Sequence, residues 1–425
     1  MSDLTRDQQF RPRSELVRVL QERGHIYQAT DLAGLDAAAL NGSISGYIGF
    51  DATAPSLHVG NLVQIMTLRR LQQTGHRPIV LMGGATTKVG DPSDKTSQRP
   101  LISNAQIKAN VAGIRRAFSP FLTFGDGATD AVMVNNADWL DKLGYIEFLR
   151  DYGVHFSINR MVTLEFVKSR LDAGQSLSFL EFNYVLMQAA DFLELHRRHG
   201  CTLQFGGSEQ WGNIVGGIEL IRRVASAQSF GVTAPLVTTA SGVKMGKTVD
   251  GAVWLNPEMR SAYDYWQFWR NTDDADVARF LKLFTDLPLD EIAKLEVLRD
   301  AEINEAKKAL ANAATALLHG AEAARAAAGA ASAAFEENRL SSDMPTIEIS
   351  LAALGEMSNT ALMVAAGFAT SNGDARRQIA GGAFRINGAK ITDANAAVQI
   401  PGAQAELRKG NSRKRLVISR LDTEN

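Results

Sequence analysis

Apolar and polar positions follow two periods along this chain, and the switches between them set out its elements. Residues 13–23 (R-S-E-L-V-R-V-L-Q-E-R) read as an amphipathic helix that stops at Gly24. Residues 47–50 are a short apolar run, followed by a turn carrying Asp51, Pro55 and Ser56. Leu62, Ile65, Met66 and Leu68 then recur at helical spacing as far as Gly75, and residues 79–82 form a second apolar run. This strand–helix–strand order predicts parallel strands with a right-handed crossover. Ligands of such sheets sit outside the carboxyl ends of the strands.

The pattern continues with a helix over 104–118, a short strand over 131–134 ending in Asn135-Asn136, and a helix over 140–150. A loop with Phe156 and Asn159 follows. Residues 178–193 read as one helix in which Glu181, Tyr184, Gln188 and Asp191, spaced three, four and three, share a face. Such a stripe either meets solvent or lines a pocket. Residues 201–205 are a strand running into the glycine-rich turn 206–213 and a helix over 214–224. This repeats the opening unit, as the second half of a doubly wound α/β sheet would. Beyond Asn256 the pattern turns helical (263–269, 277–284, 290–298), and residues 309–334 contain 15 Ala in 26, broken at Gly320 and Gly329. A polar stretch with a proline, 336–350, reads as a linker. After it come a helix over 374–380, an apolar segment 383–386, the turn Asn387-Gly388 and a strand over 415–418.

The expected organisation is an N-terminal helical segment (1–40), a catalytic sheet domain (41–236), a lysine loop with a helical domain (237–335), a linker (336–350) and a small α+β module (351–425). A length of 425 residues suits two or three domains. The net charge of −1 excludes an all-over basic coat, but the charge is uneven. Between Ser371 and Arg420 ten Lys/Arg face three Asp/Glu, which makes the last module a candidate RNA-backbone binder. The single Cys201 excludes a disulfide framework and a multi-cysteine zinc site. No apolar run is long enough to span a bilayer, and the N-terminus lacks a secretory core, so a cytoplasmic protein is expected.

The candidate chemistry sits at the first strand-to-helix turn. A helix N-terminus there offers free N–H groups to phosphate. Gly60 lets a flat base or ribose approach, His58 can donate to a phosphate oxygen, and Asn61 offers an amide. Alone, H-x-G-N reads as a cap and a solvated amide. Two further loops change that. Residues 83–100 form a glycine-rich loop carrying Lys95 and Arg99, and it is not a Walker A loop because G-K-[ST] is absent. Residues 235–248 carry Lys244 and Lys247 beside glycine. Together with the basic module these suit a chain that binds ATP, stabilises charge as a bond forms at the α-phosphorus, and holds an RNA. No protein nucleophile is needed if the substrate's own carboxylate attacks.

At this point the chain resembles the bacterial tyrosyl-tRNA synthetases over nearly its whole length. Y-I-G-F-D-A-T-A-P-S-L-H-V-G-N resembles that family's first signature and K-M-G-K-T its lysine loop. N-N-x-D-W, E-F-x-Y-x-x-x-Q-x-x-D-F, G-G-S-x-Q-W-G-N-I and Q-F-W-x-N-T-D-D-x-D-V are tyrosyl-type. The resemblance implies a Rossmann-like class I catalytic domain and a C-terminal module similar to the small RNA-binding fold of a ribosomal protein. It also implies a homodimer acting on L-tyrosine, ATP with Mg²⁺ and tRNA(Tyr), with no membrane, resident metal or tightly bound cofactor.

Residue by residue, the resemblance implies that Tyr47 and Asp191 meet the substrate phenol. Asp91, Tyr184 and Gln188 would hold its ammonium, and Gln210 would approach its carboxylate. Gly49, Asp51, Gly60, Gly207 and Glu209 would line the adenylate. Thr53, His58, Asn61, Lys95, Arg99, Lys244, Lys247 and Thr248 would act on the phosphates. Arg222 and Arg223 would meet the acceptor stem, and Arg376, Arg377 and Lys409 the rest of the tRNA. A phenylalanine would leave Tyr47 and Asp191 unpaired, a discrimination for which tyrosyl enzymes are themselves the worked case.

Three positions depart from the family pattern: Asn61 for a second histidine, Glu209 for an aspartate at the ribose, and Ile48 for a small polar residue. A modest effect on ATP affinity is expected from them. The alternatives are a tryptophanyl-type ligase, a synthetase-derived RNA-binding protein without activity, and a simple nucleotidyltransferase using H-x-G-N. The Tyr47/Asp191 pair with the basic module, the intact His58 and lysine loop, and the tRNA-type module argue against them in turn.

Overall fold

The computed structural model describes residues 10–93, 102–240, 242, 245–248, 251–338, 345–400, 402–410 and 412–419. The chain divides between Ala328 and Gly329 into two units.

The first unit is built on a six-stranded sheet of β1 (Gln28–Ala29), β2 (Ser45–Asp51), β3 (Arg77–Gly83), β4 (Val132–Asn135), β5 (Cys201–Gly207) and β6 (Phe230–Ala234), in the order β1-β6-β5-β2-β3-β4. β2 to β6 run parallel, and β1 is an antiparallel edge on β6. Chain order reverses between β2 and β5, and ligands bind at such a switch point. β3 is buried beyond its first residue, as a strand covered on both faces must be, whereas β2 is buried at Gly46–Ile48 and Phe50 and opens at Gly49. Tyr47, Ile79, Leu81, Phe192, Leu193, Leu220 and Ile221 belong to one core cluster between the sheet and its helices.

The elements differ from the sequence pattern in a few places, each with a local cause. The segment 1–40 is not wholly helical, because β1 falls within it and adds an edge to the sheet. The helix expected over 140–150 breaks into Ala137–Leu140 and Tyr145–Asp151, with Gly144 extended at the second N-cap. The helix expected over 178–193 splits at Asn183 into Phe179–Phe182 and Tyr184–His199. Ser178 and Glu181 form a reciprocal capping box that starts the short helix by itself. Gly320 ends the helix Ile303–His319, whereas Gly329 lies inside the helix Ala321–Asn338. One glycine costs only about 1 kcal/mol, and its alanine neighbours favour helix.

Helices after the sheet pack around Trp269, which has edge contacts with Tyr265, Phe268 and Phe280 and a tilted contact with Phe284. They are fastened by three arginines to two helices that flank the sheet, Glu15–Glu22 and Leu62–Gln73. Arg69 and the buried Arg70 both pair with Asp286. Arg23 donates to the carbonyls of Lys282, Thr285 and Leu287. Burial works to raise the Asp286 carboxyl, but Arg69 and Arg70 outweigh it and bring the group down to about 2.

The second unit carries a five-stranded sheet of β9 (Thr346–Ser350), β10 (Phe384–Ile386), β11 (Ala389–Lys390), β12 (Gln404–Lys409) and β13 (Ser412–Ser419), ordered β11-β10-β12-β13-β9. β9 lies within the stretch expected to be a linker and pairs parallel with β13, giving residues 346–350 backbone partners. Asn387 and Gly388, at φ 49° and 81°, make the two-residue hairpin between β10 and β11. Leu362, Met363, Ile379, Phe384, Leu407 and Leu416 form the core beneath this sheet.

Candidate active site

A cavity of about 720 Å³ opens at the carboxyl ends of β2 and β5, at the switch point. It collects Tyr47, Gly49, Asp51, Thr53, His58, Gly60, Asn61, Asp91, Tyr184, Gln188, Asp191, Gly207, Glu209 and Gln210. Lys95, Arg99 and Lys244 lie outside the described residues. Lys247 and Thr248 are described only as backbone, in the two-residue strand β7 (Lys247–Thr248) paired with β8 (Gly251–Ala252).

One end of the cavity is buried and polar at the same time. Asp191 is 2% exposed, and its carboxylate accepts from Asn136 Nδ2 at 2.9 Å and from Trp139 Nε1 at 2.7 Å. Burial raises its carboxyl to about 7 even though both bonds favour the charged form. The Tyr47 hydroxyl is buried with no hydrogen-bond partner among the described residues, and burial followed by the Asp191 charge pushes its phenol well above the ordinary value. A polar chain runs on from Asp191. Asn136 Nδ2 also donates to Thr86 Oγ1 at 3.0 Å, and that hydroxyl donates to Asp51 Oδ1 at 2.8 Å. The Tyr184 hydroxyl donates to Asp51 Oδ2 at 3.2 Å.

A second cluster lies at the start of the helix Trp211–Ala225. Gln210 Nε2 donates to Asp91 Oδ2 at 2.7 Å, and Asn213 Nδ2 donates to Gln188 Oε1 at 2.9 Å. Glu209 curls back over its own turn. A Cβ on Gly207 would lie 2.3 Å from Glu209 Oε2, so a side chain at 207 would require the Glu209 carboxylate to move.

The first-turn residues fold onto each other. His58 Nδ1 accepts from the Gly60 N–H at 3.0 Å, and Asn61 Oδ1 accepts from the His58 N–H at 3.2 Å. The second bond turns the Asn61 oxygen inward and leaves its amide nitrogen as the donor. The segment after the lysine loop lies antiparallel to this turn, with Val59 N–H on Val253 O at 2.9 Å and Leu255 N–H on Leu57 O at 2.9 Å. A Cβ on Gly60 would sit 2.6 Å from Met245 O. The two signature segments therefore meet through backbone.

Not every stripe or basic residue joins the site. Glu181 leaves the 181–191 stripe, held by Ser178 and by the buried Arg170 at 3.0 Å. Arg222 pairs with Glu219, and Arg223 donates to His155 O, both at an exposed helix end. Arg376 and Arg377 sit on the exposed side of the helix Asn372–Ala380, and Lys409 donates to Phe368 O at 2.7 Å. The sequence pattern did not single out Thr86, Asn136 or Trp139. The N-N-x-D-W run was the available signal for two of them.

The family profile described as tRNA synthetases class I (W and Y) matches residues 39–336, and the profile described as the tyrosine–tRNA ligase SYY-like C-terminal domain matches 336–408. The tyrosine–tRNA ligase of Caulobacter sp. (strain K31) is 61% identical over 387 residues, spanning 91% of this chain and 92% of its own. That of Novosphingobium aromaticivorans is 57% identical over 400 residues, spanning 94% and 97%. Among solved structures, a C-terminally truncated mitochondrial tyrosyl-tRNA synthetase of Aspergillus nidulans superposes with a TM-score of 0.69 at 32% identity, over 76% of this chain and 95% of that one. A tryptophanyl-tRNA synthetase of Encephalitozoon cuniculi shares the fold, with a TM-score of 0.53 at 13% identity over 73% of this chain and 88% of that one.

Proposed function

Because this chain belongs to the class I tRNA synthetases for tryptophan and tyrosine and is a tyrosine–tRNA ligase, we propose that its switch-point cavity holds tyrosine phenol-inward, between Tyr47 and Asp191. The observation that carries this reading is the buried pair itself. A hydroxyl with no partner among the described residues stands with a desolvated carboxylate at the closed end of the cavity. A phenol O–H can donate to Asp191 and accept from Tyr47, whereas a phenyl ring satisfies neither. Asp91, Tyr184 and Gln188 take the ammonium, and Gln210 takes the carboxylate. Gly49, Asp51, Gly60, Gly207 and Glu209 line the adenosine side.

The substrate's carboxylate oxygen attacks the α-phosphorus of ATP, forming tyrosyl-adenylate as pyrophosphate leaves. A terminal ribose hydroxyl of the tRNA then attacks the carbonyl carbon and AMP leaves. The chain contributes position and charge, not a nucleophile. His58, Asn61, Thr53, Lys95, Arg99, Lys244, Lys247 and Thr248 neutralise the departing pyrophosphate. Mg²⁺ arrives on the triphosphate. Among the described residues no cluster of three or more His, Cys, Asp or Glu would hold a metal ion.

Arg222, Arg223, Arg376, Arg377 and Lys409 serve the tRNA, as does the basic final module. A homodimer is supported by Tyr145, Ile146, Val154, Ile158, Leu171 and Phe179, all more than half exposed within one stretch of chain. Beside them Phe156, Met161, Leu164, Val185 and Trp211 line a depression of about 200 Å³. The cytoplasm is the proposed compartment. Among the described residues no helix is long and apolar enough to cross a membrane.

The test is ATP–pyrophosphate exchange with tyrosine, phenylalanine and tryptophan, with Lys247→Ala alongside. Exchange with tyrosine alone that collapses in the variant is expected. Exchange with phenylalanine at a comparable rate would refute the phenol assignment.

A further inference from the structure

We propose that Asn213 is a positioning residue that fixes which end of the Gln188 and Gln210 side-chain amides faces the amino acid. The inference rests on the site reading above and adds a residue to it. Asn213 is 2% exposed, in the first turn of the helix Trp211–Ala225, three residues after Gln210 and so on the same face. Its Nδ2 donates to Gln188 Oε1 at 2.9 Å, to Gln210 Oε1 at 3.2 Å and to Ser93 Oγ at 3.3 Å. Its own Oδ1 is buried without a partner among the described residues. A buried amide that leaves its oxygen unmatched while the two hydrogens of its nitrogen are shared among three acceptors is held for the nitrogen's sake. Turned over, it would set its oxygen against two carbonyl oxygens.

The consequence is a defined polarity at both glutamines. With Gln210 Oε1 drawn to Asn213, its Nε2 is the end that reaches Asp91 Oδ2 at 2.7 Å and can also donate to a substrate carboxylate. With Gln188 Oε1 on Asn213, the same oxygen keeps a second lone pair for an ammonium proton. Asp91 is tied to this group from the other side, because its Oδ1 accepts from the Ser93 N–H at 2.8 Å while Ser93 Oγ receives from Asn213. A free glutamine amide turns over readily. If either did so here, it would present a carbonyl to the carboxylate or an N–H to the ammonium.

The test is calorimetric binding to the full chain of L-tyrosine, of tyramine, of 3-(4-hydroxyphenyl)propionate and of p-cresol. The variants are Asn213→Ala, Gln188→Ala, Gln210→Ala and the double variant Asn213→Ala/Gln210→Ala. Asn213→Ala is expected to weaken L-tyrosine about tenfold, the size of an oriented hydrogen bond or two. Tyramine and the propionate, each using one glutamine, should weaken about threefold, and p-cresol should not change. Adding Asn213→Ala to Gln210→Ala should cost less than it does alone. Equal weakening of all four ligands would make Asn213 a general structural residue and overturn the inference. Losses in both glutamine variants with none in Asn213→Ala would also overturn it while leaving the site reading standing. No loss in any variant would overturn the site reading, and the inference with it.

Discussion

Asp191 is asked to hold a negative charge where burial opposes it, and this has a measurable cost. Its carboxyl stands at about 7 against an ordinary value of 3.8. At about 1.4 kcal/mol per pH unit, that rise puts the cost of keeping it ionised near 4 kcal/mol. The folded value lies above the unfolded one, so between pH 4 and 7 the folded chain binds the extra proton, and stability falls as pH rises through that window. The penalty is absent below about pH 4 and complete above about pH 7. Asp191→Asn removes it but presents an NH₂ to either Asn136 or Trp139, both donors, losing one hydrogen bond worth about 1 kcal/mol. Without ligand, the variant should therefore be more stable than the native chain by about 3 kcal/mol at pH 8. The difference should shrink to nothing, or reverse slightly, toward pH 4. Urea titrations at pH 4.5, 6 and 8 measure this. Tyrosine activation should fall ten- to a hundredfold, the loss of one charged hydrogen bond. Parallel pH profiles for the two proteins, or a variant less stable at pH 8, would refute the argument.

Other changes test other parts. Gly60→Ala should abolish pyrophosphate exchange, because its methyl would stand 2.6 Å from both the Met245 carbonyl and the His58 ring, and one of the two segments must shift to admit it. Asp286→Asn should cost about 3 kcal/mol at pH 7, since it leaves the buried Arg70 without its carboxylate. The Asp286 group stands below its unfolded value, so its contribution of about 2 kcal/mol is present above pH 4 and lost as pH falls toward 2. An acid titration of the native chain and the variant should converge there. Trp269→Ala should cost about 3–5 kcal/mol in denaturant unfolding, as for a large aromatic cut from a core. Glu209→Asp and Ile48→Cys should shift the Michaelis constant for ATP modestly, and unchanged values would remove these two departures from the account of the adenosine side.

What can be read from sequence divides along a physical line. The sheet strands are legible because residues such as Ile79 to Met82 are buried on both faces and leave unbroken apolar runs. The stripe Tyr184, Gln188 and Asp191 is legible because helical spacing is local. Glu181 shares that spacing and does not belong to the stripe, because its partner Arg170 lies eleven residues upstream and draws it away. The contacts that complete the site are not legible. Asn136 reaches Asp191 across 55 residues and Gln210 reaches Asp91 across 119, and no periodicity records either pairing. β9 passes for a linker for the same reason: its partner β13 is supplied by the far end of the module.

The arginine clasp has a consequence for how the chain is made. Arg23 is bound by carbonyls that follow it by 259 to 264 residues, and Arg70 by a carboxylate 216 residues later. A ribosome adding about 5–20 residues per second delivers the second half of the clasp roughly 11 to 53 seconds after the first. Until then Arg70 has no carboxylate to enter the interior with, so the sheet cannot close over it in final form. The nascent chain must therefore carry an unfinished amino-terminal half until about residue 290 has cleared the exit tunnel.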